Sequence, residues 1–290
     1  MGMGVKIDCS EIAAFPLAGQ FVRAFSYTNY SIRPHNHDFY EMNIVLFGKG
    51  VHQIENTQLS VEAGDVFVIP PMTVHAYYNT DNLEVYHVLI RKDFIRENRA
   101  EASLVPGFLQ LVEIEPFLRQ SCSESMFLHL SHAQLERIKL DARIIEDDGD
   151  FNDECFAPLR KHTVWKLLYS LSNMLHEQMN DTGKRCGVKY KRQMLDALGY
   201  IHNRFNEKIT VESLYECTYL SRSTFLRSFR AICGCSPMQY LNQYRTNKAV
   251  ELLESKPKMS KTEVAHSCGF YALSHMERAI KKTTDKLSLE

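Results

Sequence analysis

The chain reads as a two-domain α+β protein: an N-terminal antiparallel β-barrel with helices behind it, then an all-α domain. Three observations predict this. Residues 21–90 break into short apolar or alternating runs separated by turn residues, as strands do. From about 131 onward, apolar residues recur at spacings of three and four, as in amphipathic helices. Charge is split unevenly: residues 1–183 carry 15 Lys+Arg against 25 Asp+Glu, and residues 184–290 carry 19 against 10. A length of 290 residues suits two cores at ~100–200 residues each.

The expected strands are 21–27, 41–47, 51–55, 65–69, 75–78 and 85–90. The breaks between them are Gly48-Lys49-Gly50, read as a hairpin turn, then Asn56-Thr57, Ala63-Gly64-Asp65, Pro70-Pro71 and 79–82. Helices are expected over 133–147 and 158–178, the second carrying Leu159, Val164, Trp165, Leu168, Leu171 and Leu175. The first domain is therefore 1–179, with its barrel at about 21–90 and its helices at about 131–179. The polar, glycine-containing stretch 180–190 is a linker, and 191–290 form the second domain. There the expected helices are 193–205, a short one after Thr210, 223–232, 237–255, 262–267 and 274–282. Ser236 followed by Pro237 is a helix-start signal.

Composition narrows the function. With 44% hydrophobic and 24% charged residues the chain is not a disordered one. No apolar run reaches the ~18 residues of a membrane span, so no membrane is expected as a partner. Asp8 and Glu11 make residues 1–15 a poor secretory signal. The 8 cysteines form no Cys-x-x-Cys pair, which fits a reducing compartment, and the chain reads as cytoplasmic. A P-loop, a Gly-x-Ser-x-Gly elbow and a His-Glu-x-x-His helix are all absent. The acidic run 146–150 lacks EF-hand spacing and reads as a solvated helix end.

The basic second domain contains one layout twice: a short helix, a tight turn, then a helix with cations on its outer face. That is what a helix-turn-helix needs to lay its second helix in the major groove. In the first unit Phe225, Phe229 and Ile232 form the core stripe, leaving Arg222, Ser223, Leu226, Arg227 and Arg230 outside. In the second, Met276 and Ile280 form the stripe, leaving Leu273, Ser274, Glu277, Arg278 and Lys281 outside. Arginine pairs bidentately with guanine, and Ser or Leu meets bases or thymine methyls.

These residues resemble the DNA-binding domain of AraC/XylS-type transcription regulators. The resemblance spans 193–282 and rests on Leu220-Ser221, Phe225-Leu226-Arg227-Ser228-Phe229-Arg230, Gly234, Ser236-Pro237, Tyr240-Leu241, Arg245, Val264-Ala265, Gly269-Phe270, Ser274 and Arg278. It implies two helix-turn-helix units joined by one long helix. The chain departs from the pattern at Tyr215, at Lys261 where a buried Ile is usual, at Met276 and Ile280 where aromatics are usual, and after Lys282, where the usual Gly-x-Ser-Pro turn is missing. The second unit is accordingly expected to be looser and auxiliary in reading sequence.

In the first domain His35, His37 and Glu41 stand in the spacing His-x-His-x-x-x-Glu, and His75 is followed four residues later by Asn79. On a strand of period two, His35, His37 and Glu41 share one face, and His75, Tyr77 and Asn79 share another. Facing strands would converge three imidazoles and a carboxylate, a donor set that suits Zn, Fe, Mn or Ni. The spacing resembles the two cupin motifs over about 31–90, and AraC-type regulators often carry such a barrel as their sensor. The expected effector pocket is His35, His37, Glu41, His75, Tyr77 and Asn79, with Arg33, Tyr40, Tyr78, Tyr86 and His87 around it. His35, His37, Glu41 and His75 are the metal candidates, for a divalent ion as cofactor.

The sequence thus predicts a ligand-responsive regulator that is not an enzyme. Its expected partners are double-stranded DNA, a small-molecule effector such as a sugar, a second copy of the chain, and RNA polymerase. One rival is a metal-dependent cupin enzyme fused to a helical nucleic-acid-binding module. Another is a constitutive DNA-binding protein whose barrel only supports a dimer.

Overall fold

The computed structural model describes residues 21–55, 57–119, 127–146, 157–181, 190–255 and 257–287. The chain divides into two units, Met1–Arg185 and Cys186–Glu290. Residues 1–15, most of the acidic run 146–150, Cys9, Cys122, Cys155 and Cys186, and the linker from 182 to 189 lie outside the described residues.

The first unit is built on seven strands: β1 Val22–Tyr27, β2 Ile32–His35, β3 Tyr40–Ile54, β4 Thr57–Glu62, β5 Asp65–Ile69, β6 His75–Ile90 and β7 Leu128–His129. They form one antiparallel sheet in the order β1-β6-β3-β5-β7, with β2 on β6 and β4 on β3. The sheet is open rather than a closed barrel: β1 pairs only with β6, and β7 only with β5, among the described residues.

The hairpin expected at Gly48-Lys49-Gly50 does not form. β3 runs straight through it for 15 residues, and β6 runs through the turn expected at 79–82. The reason is geometric. Gly48, Asn79 and Asn82 take positive φ (76°, 51° and 49°), but each produces a register shift rather than a reversal. Opposed bulges let two long strands bend together. The first half of β3 pairs with β5 and its second half with β4, so the sheet curls around its own interior. Val45, Ile54, Leu59, Val61, Phe67, Tyr77, Leu83 and Val85 fill that interior.

Helices cover the outside. α1 (Lys92–Ala102) and a π-helical turn (Gln110–Ile114) running into α2 (Glu115–Arg119) were not expected from the sequence. α3 (His132–Ile145) starts at a Ser131–Gln134 capping box, and α4 (Ala157–Asp181) runs two residues into the expected linker. Phe94 of α1 stacks on Trp165 of α4 at 4.6 Å. Tyr86 donates its hydroxyl to the carbonyl of Ala142 in α3 at 2.7 Å, so it faces the helices and not the sheet interior.

The second unit is all helix: α5 Lys191–Arg204, α6 Val211–Glu216, α7 Arg222–Cys233, α8 Pro237–Ser255, α9 Lys261–Ser267 and α10 Leu273–Leu287. Local chemistry sets these bounds. Thr210 with Ser213 and Ser260 with Glu263 form capping boxes, Ser221 caps α7, and Gly234 closes it at φ 70°. α10 continues to Leu287, past the point where the resemblance led one to expect a turn.

Gly48 is the tightest point of the paired strands. A Cβ there would sit 2.2 Å from the main-chain oxygen of Asn82, on top of the positive φ. Gly48→Ala is expected to destabilise the first unit by about 2–4 kcal/mol, from backbone strain plus steric overlap. Urea unfolding followed by Trp165 fluorescence checks this.

Candidate functional site

The β3–β6 pairing determines which side chains meet inside the sheet. Asn43 is opposite His87, His52 opposite Tyr77, and Ile54 opposite His75; β2 adds His35 opposite His75. Glu41 and Asn43 share a face, and the bulges between Val45 and Val51 shift the alternation so that His52 joins them opposite His75, Tyr77 and His87 of β6. All six are buried, with His35 and His37. They form one polar chamber inside an apolar sheet.

Glu41 is its centre. His87 Nδ1 donates to Oε1 at 2.6 Å. His37 Nε2 and His75 Nε2 lie 2.8 and 3.3 Å from Oε2. Both Nε2 atoms are buried against that carboxylate oxygen. The other ring nitrogen is engaged in every case: His35 Nδ1 on the carbonyl of Arg33 (3.0 Å), His37 Nδ1 on Phe39 (2.8 Å), His75 Nδ1 on Thr73 (3.2 Å). Atoms of His35, Glu41 and His75 that can hold a cation lie within 4.8 Å of one another.

Burial alone would push the Glu41 carboxyl up, but the imidazoles of His37, His75 and His87 hold it well below the usual carboxylate range. Burial, aided by His75, lowers His35 to about 4. Burial likewise holds His52 well below 6.5, with His75 and Arg119 adding to it. The chamber at neutral pH is therefore an ionised carboxylate beside two rings, His35 and His52, held neutral.

Of the residues expected in the pocket, His35, His37, Glu41, His75 and Tyr77 converge here. Asn79 does not: it is exposed, at the positive-φ bulge of β6, where the strand's alternation breaks. Arg33 is exposed as well. His87 was placed at the margin and is instead a direct partner of Glu41. His52 was missed. It is fully buried, stacked on Tyr77 at 4.0 Å, and neither ring nitrogen has a partner among the described residues. The signal was its alternation with Ile54, which marks one inward face of 51–55.

The second unit presents a different surface. On α7, Phe225 and Phe229 are fully buried while Arg222, Ser223, Arg227 and Arg230 are exposed and Leu226 is half-buried. On α10, Ser274, Glu277, Arg278 and Lys281 are exposed. Leu273 is a correction: it packs against the Val264–Ala265–Cys268–Met276 cluster instead of facing outward, because it begins the helix directly over that core. Tyr219 and Tyr271, 97% and 90% exposed, stand in the two turns just ahead of α7 and α10; both were missed, since nothing in the spacing separates an exposed turn tyrosine from a packed one. α8, ~28 Å long at ~1.5 Å per residue, joins the two helix-turn-helix pairs of this unit. Arg245 ties it to the end of α5 through the carbonyls of Phe205 (2.6 Å) and Glu207 (2.7 Å).

Residues 17–146 match the family model of the AraC-like ligand binding domain, and 214–287 match that of a helix-turn-helix domain. The chain belongs to the AraC/XylS-type transcription regulators. This AraC-type chain is 26% identical over 250 residues to the HTH-type transcriptional activator RhaS of Escherichia coli O81 (strain ED1a), covering 86% of this chain and 83% of that one. Among solved structures it is similar to fatty-acid-bound ToxT from Vibrio cholerae strain SCE256, at 10% identity over 90% of each chain and a TM-score of 0.39. It is also similar to the DNA-binding domain of AdpA in complex with a target DNA, at 31% identity over 31% of this chain and 80% of that one, with a TM-score of 0.30. As an AraC-type regulator it combines a ligand-binding domain with a helix-turn-helix DNA-binding domain. No helix among the described residues is long and apolar enough to cross a membrane.

The buried rings make stability depend on pH. An unfolded imidazole takes up its proton as pH falls through about 6.5, whereas His52 and His35 do so only well below that. The unfolded state then binds more protons, so the first unit is expected to lose stability as pH drops from 7 toward 4. His52→Phe should flatten that fall. Denaturant unfolding at a series of pH values, read on Trp165, tests both statements.

Proposed function

We propose that this regulator takes its effector into the chamber around Glu41 and reads DNA chiefly with α7. The observation that carries the reading is the division of α7 into two faces: Phe225 and Phe229 are locked in the core, which fixes the outward direction of Ser223 and Arg227. Arg227 and Ser223 contact base edges, and Arg222 and Arg230 contact phosphates. α10 plays the lesser part. Its Arg278 and Lys281 are outward, but the exposed Glu277 stands beside them, partly offset by Lys261 at 3.9 Å. The exposed hydroxyls of Tyr219 and Tyr271 supply backbone contacts.

The protein acts as a homodimer in the cytoplasm, with the effector biasing one domain arrangement through a difference in affinity. Leu140 of α3 (64% exposed) and Leu159 of α4 (42% exposed) lie on the helices that make the dimer contact. The relatives' names as transcriptional activators support a regulator over an enzyme and make RNA polymerase a further partner.

Arg227→Ala is expected to cost ~1–3 kcal/mol on specific DNA and much less on scrambled DNA. Alanine at Ser223 with Arg227 should reduce the specificity ratio more than alanine at Ser274 with Arg278; fluorescence anisotropy on both DNAs measures the ranking. A ligand that binds the chamber, supplied at ~100 times its dissociation constant, should stabilise the first unit by ~2.7 kcal/mol in a thermal-shift screen.

A further inference from the structure

We propose that the second unit carries a phosphate-binding cavity where α9 and α10 face the end of α5, and that it takes a phosphoryl group from a DNA backbone or from a free phosphorylated small molecule. The cavity lies apart from the chamber around Glu41 and needs no base contact by α7.

α10 has three faces. Leu273, Met276 and Ile280 lie on the core. Ser274, Glu277 and Lys281, at i, i+3 and i+7, share a second face. His275, Arg278 and Lys282 have the same spacing on a third face, and that face lines a cavity of about 860 Å³. Arg278 therefore belongs with the cavity, and its Nε donates back to the Ser274 carbonyl at 3.2 Å.

The other cations come from separate parts of the unit. Lys208 stands in the turn after α5, Arg245 on α8 and His266 on α9. The cavity thus gathers four permanent cations, Lys208, Arg245, Arg278 and Lys282, with two imidazoles. Glu207 is the one carboxylate lining it, and Arg204 lies 4.0 Å from that group. Among the described residues no ion pair joins any of the four cations to a carboxylate.

Arg245 is the fixed member. Carbonyls of Phe205 and Glu207 hold its Nε and Nη2, while Nη1 has no partner among the described residues. Gly269, at φ 76°, brings the α9–α10 turn hard against this wall: a Cβ there would sit 2.9 Å from Nη2 and 2.6 Å from the Phe205 carbonyl oxygen. Like charges gathered in a concave site focus a positive field that only an anion relieves. A carboxylate brings one negative charge. A terminal phosphoryl group brings about two, with three acceptor oxygens, which suits a guanidinium fork flanked by ammonium groups.

The test titrates the full chain with inorganic pyrophosphate by calorimetry, with chloride holding the ionic strength constant. One ion per chain is expected. Lys208→Gln and Arg278→Gln should each weaken it at least about 10-fold, the loss of one charge-assisted contact. Both side chains are exposed, so neither change removes packing. Lys258→Gln removes the same charge from the same unit outside the cavity and should bind like wild type. The same variants on scrambled duplex DNA identify the source. A log–log salt slope flattened by ~0.9 in each cavity variant assigns the cavity to a backbone phosphate, and an unchanged slope assigns it to a free phosphorylated molecule. Protein that takes no pyrophosphate, or takes it equally well in both cavity variants, overturns the proposal. Equal weakening in Lys258→Gln overturns it too, since the effect would then be one of overall charge. Arg227→Ala on specific DNA is a separate measurement, so the reading given to α7 stands or fails independently.

Discussion

The antiparallel pairing of β3 with β6 is the constraint on which the first unit depends. Two strands of 15 and 16 residues stay paired along their length because Gly48 and two asparagines absorb the bends as bulges. That pairing brings Glu41 to His87 and His52 to Tyr77, residues 46 and 25 positions apart in the chain. It also makes one strand serve both halves of the curl. Were either strand to reverse at its bulge, the polar residues of β3 would face solvent, and no chamber would exist.

Burying Glu41 is the electrostatic consequence. An ionised carboxylate removed from water costs several kcal/mol unless other groups replace its hydration. For Glu41 the imidazoles of His37, His75 and His87 do this, with His87 Nδ1 at 2.6 Å from Oε1. A second buried pair, Glu115 with Arg119, sits on α2 and is answered differently: the guanidinium binds the carboxylate directly and the carbonyl of Val68 at 2.9 Å. The contrast is instructive. Arg119 and Glu115 compensate each other as an ion pair, whereas Glu41 is ringed by imidazoles.

The second unit obeys a simpler rule. α8 is a spine whose first half packs Tyr240 against Phe229 at 5.8 Å and whose second half packs Ala249 into the Met276 cluster. The expectation of a loose second helix-turn-helix meets a mixed result. Met276, Val264, Ala265 and Cys268 are all buried, so packing is not left undone. Lys261 does turn outward, where it faces Glu277 and softens the one acidic residue on the reading face. What distinguishes the units is the outward chemistry: cations and a serine on α7, a mixture of signs on α10.

The sequence by itself determined what depends on neighbours a few residues apart. Caps such as Ser221 and Thr210, the breaker Ser236-Pro237, and the buried stripe Phe225–Phe229 are local, so the helices of the second unit and the outward set Arg222, Ser223, Arg227 and Arg230 were legible. The spacing of His35, His37 and Glu41 was legible for the same reason. Tertiary structure decided everything that depends on register between distant strands. Gly48-Lys49-Gly50 carries the residues of a turn, and only the partner strand makes it a bulge. His52 and His87 enter the chamber, and Asn79 leaves it, because of which residue stands opposite on the other strand, a choice set by interior packing over dozens of residues. Leu273 turned inward for a like reason: the core beneath it is assembled from α8 and α9, which no window around α10 contains.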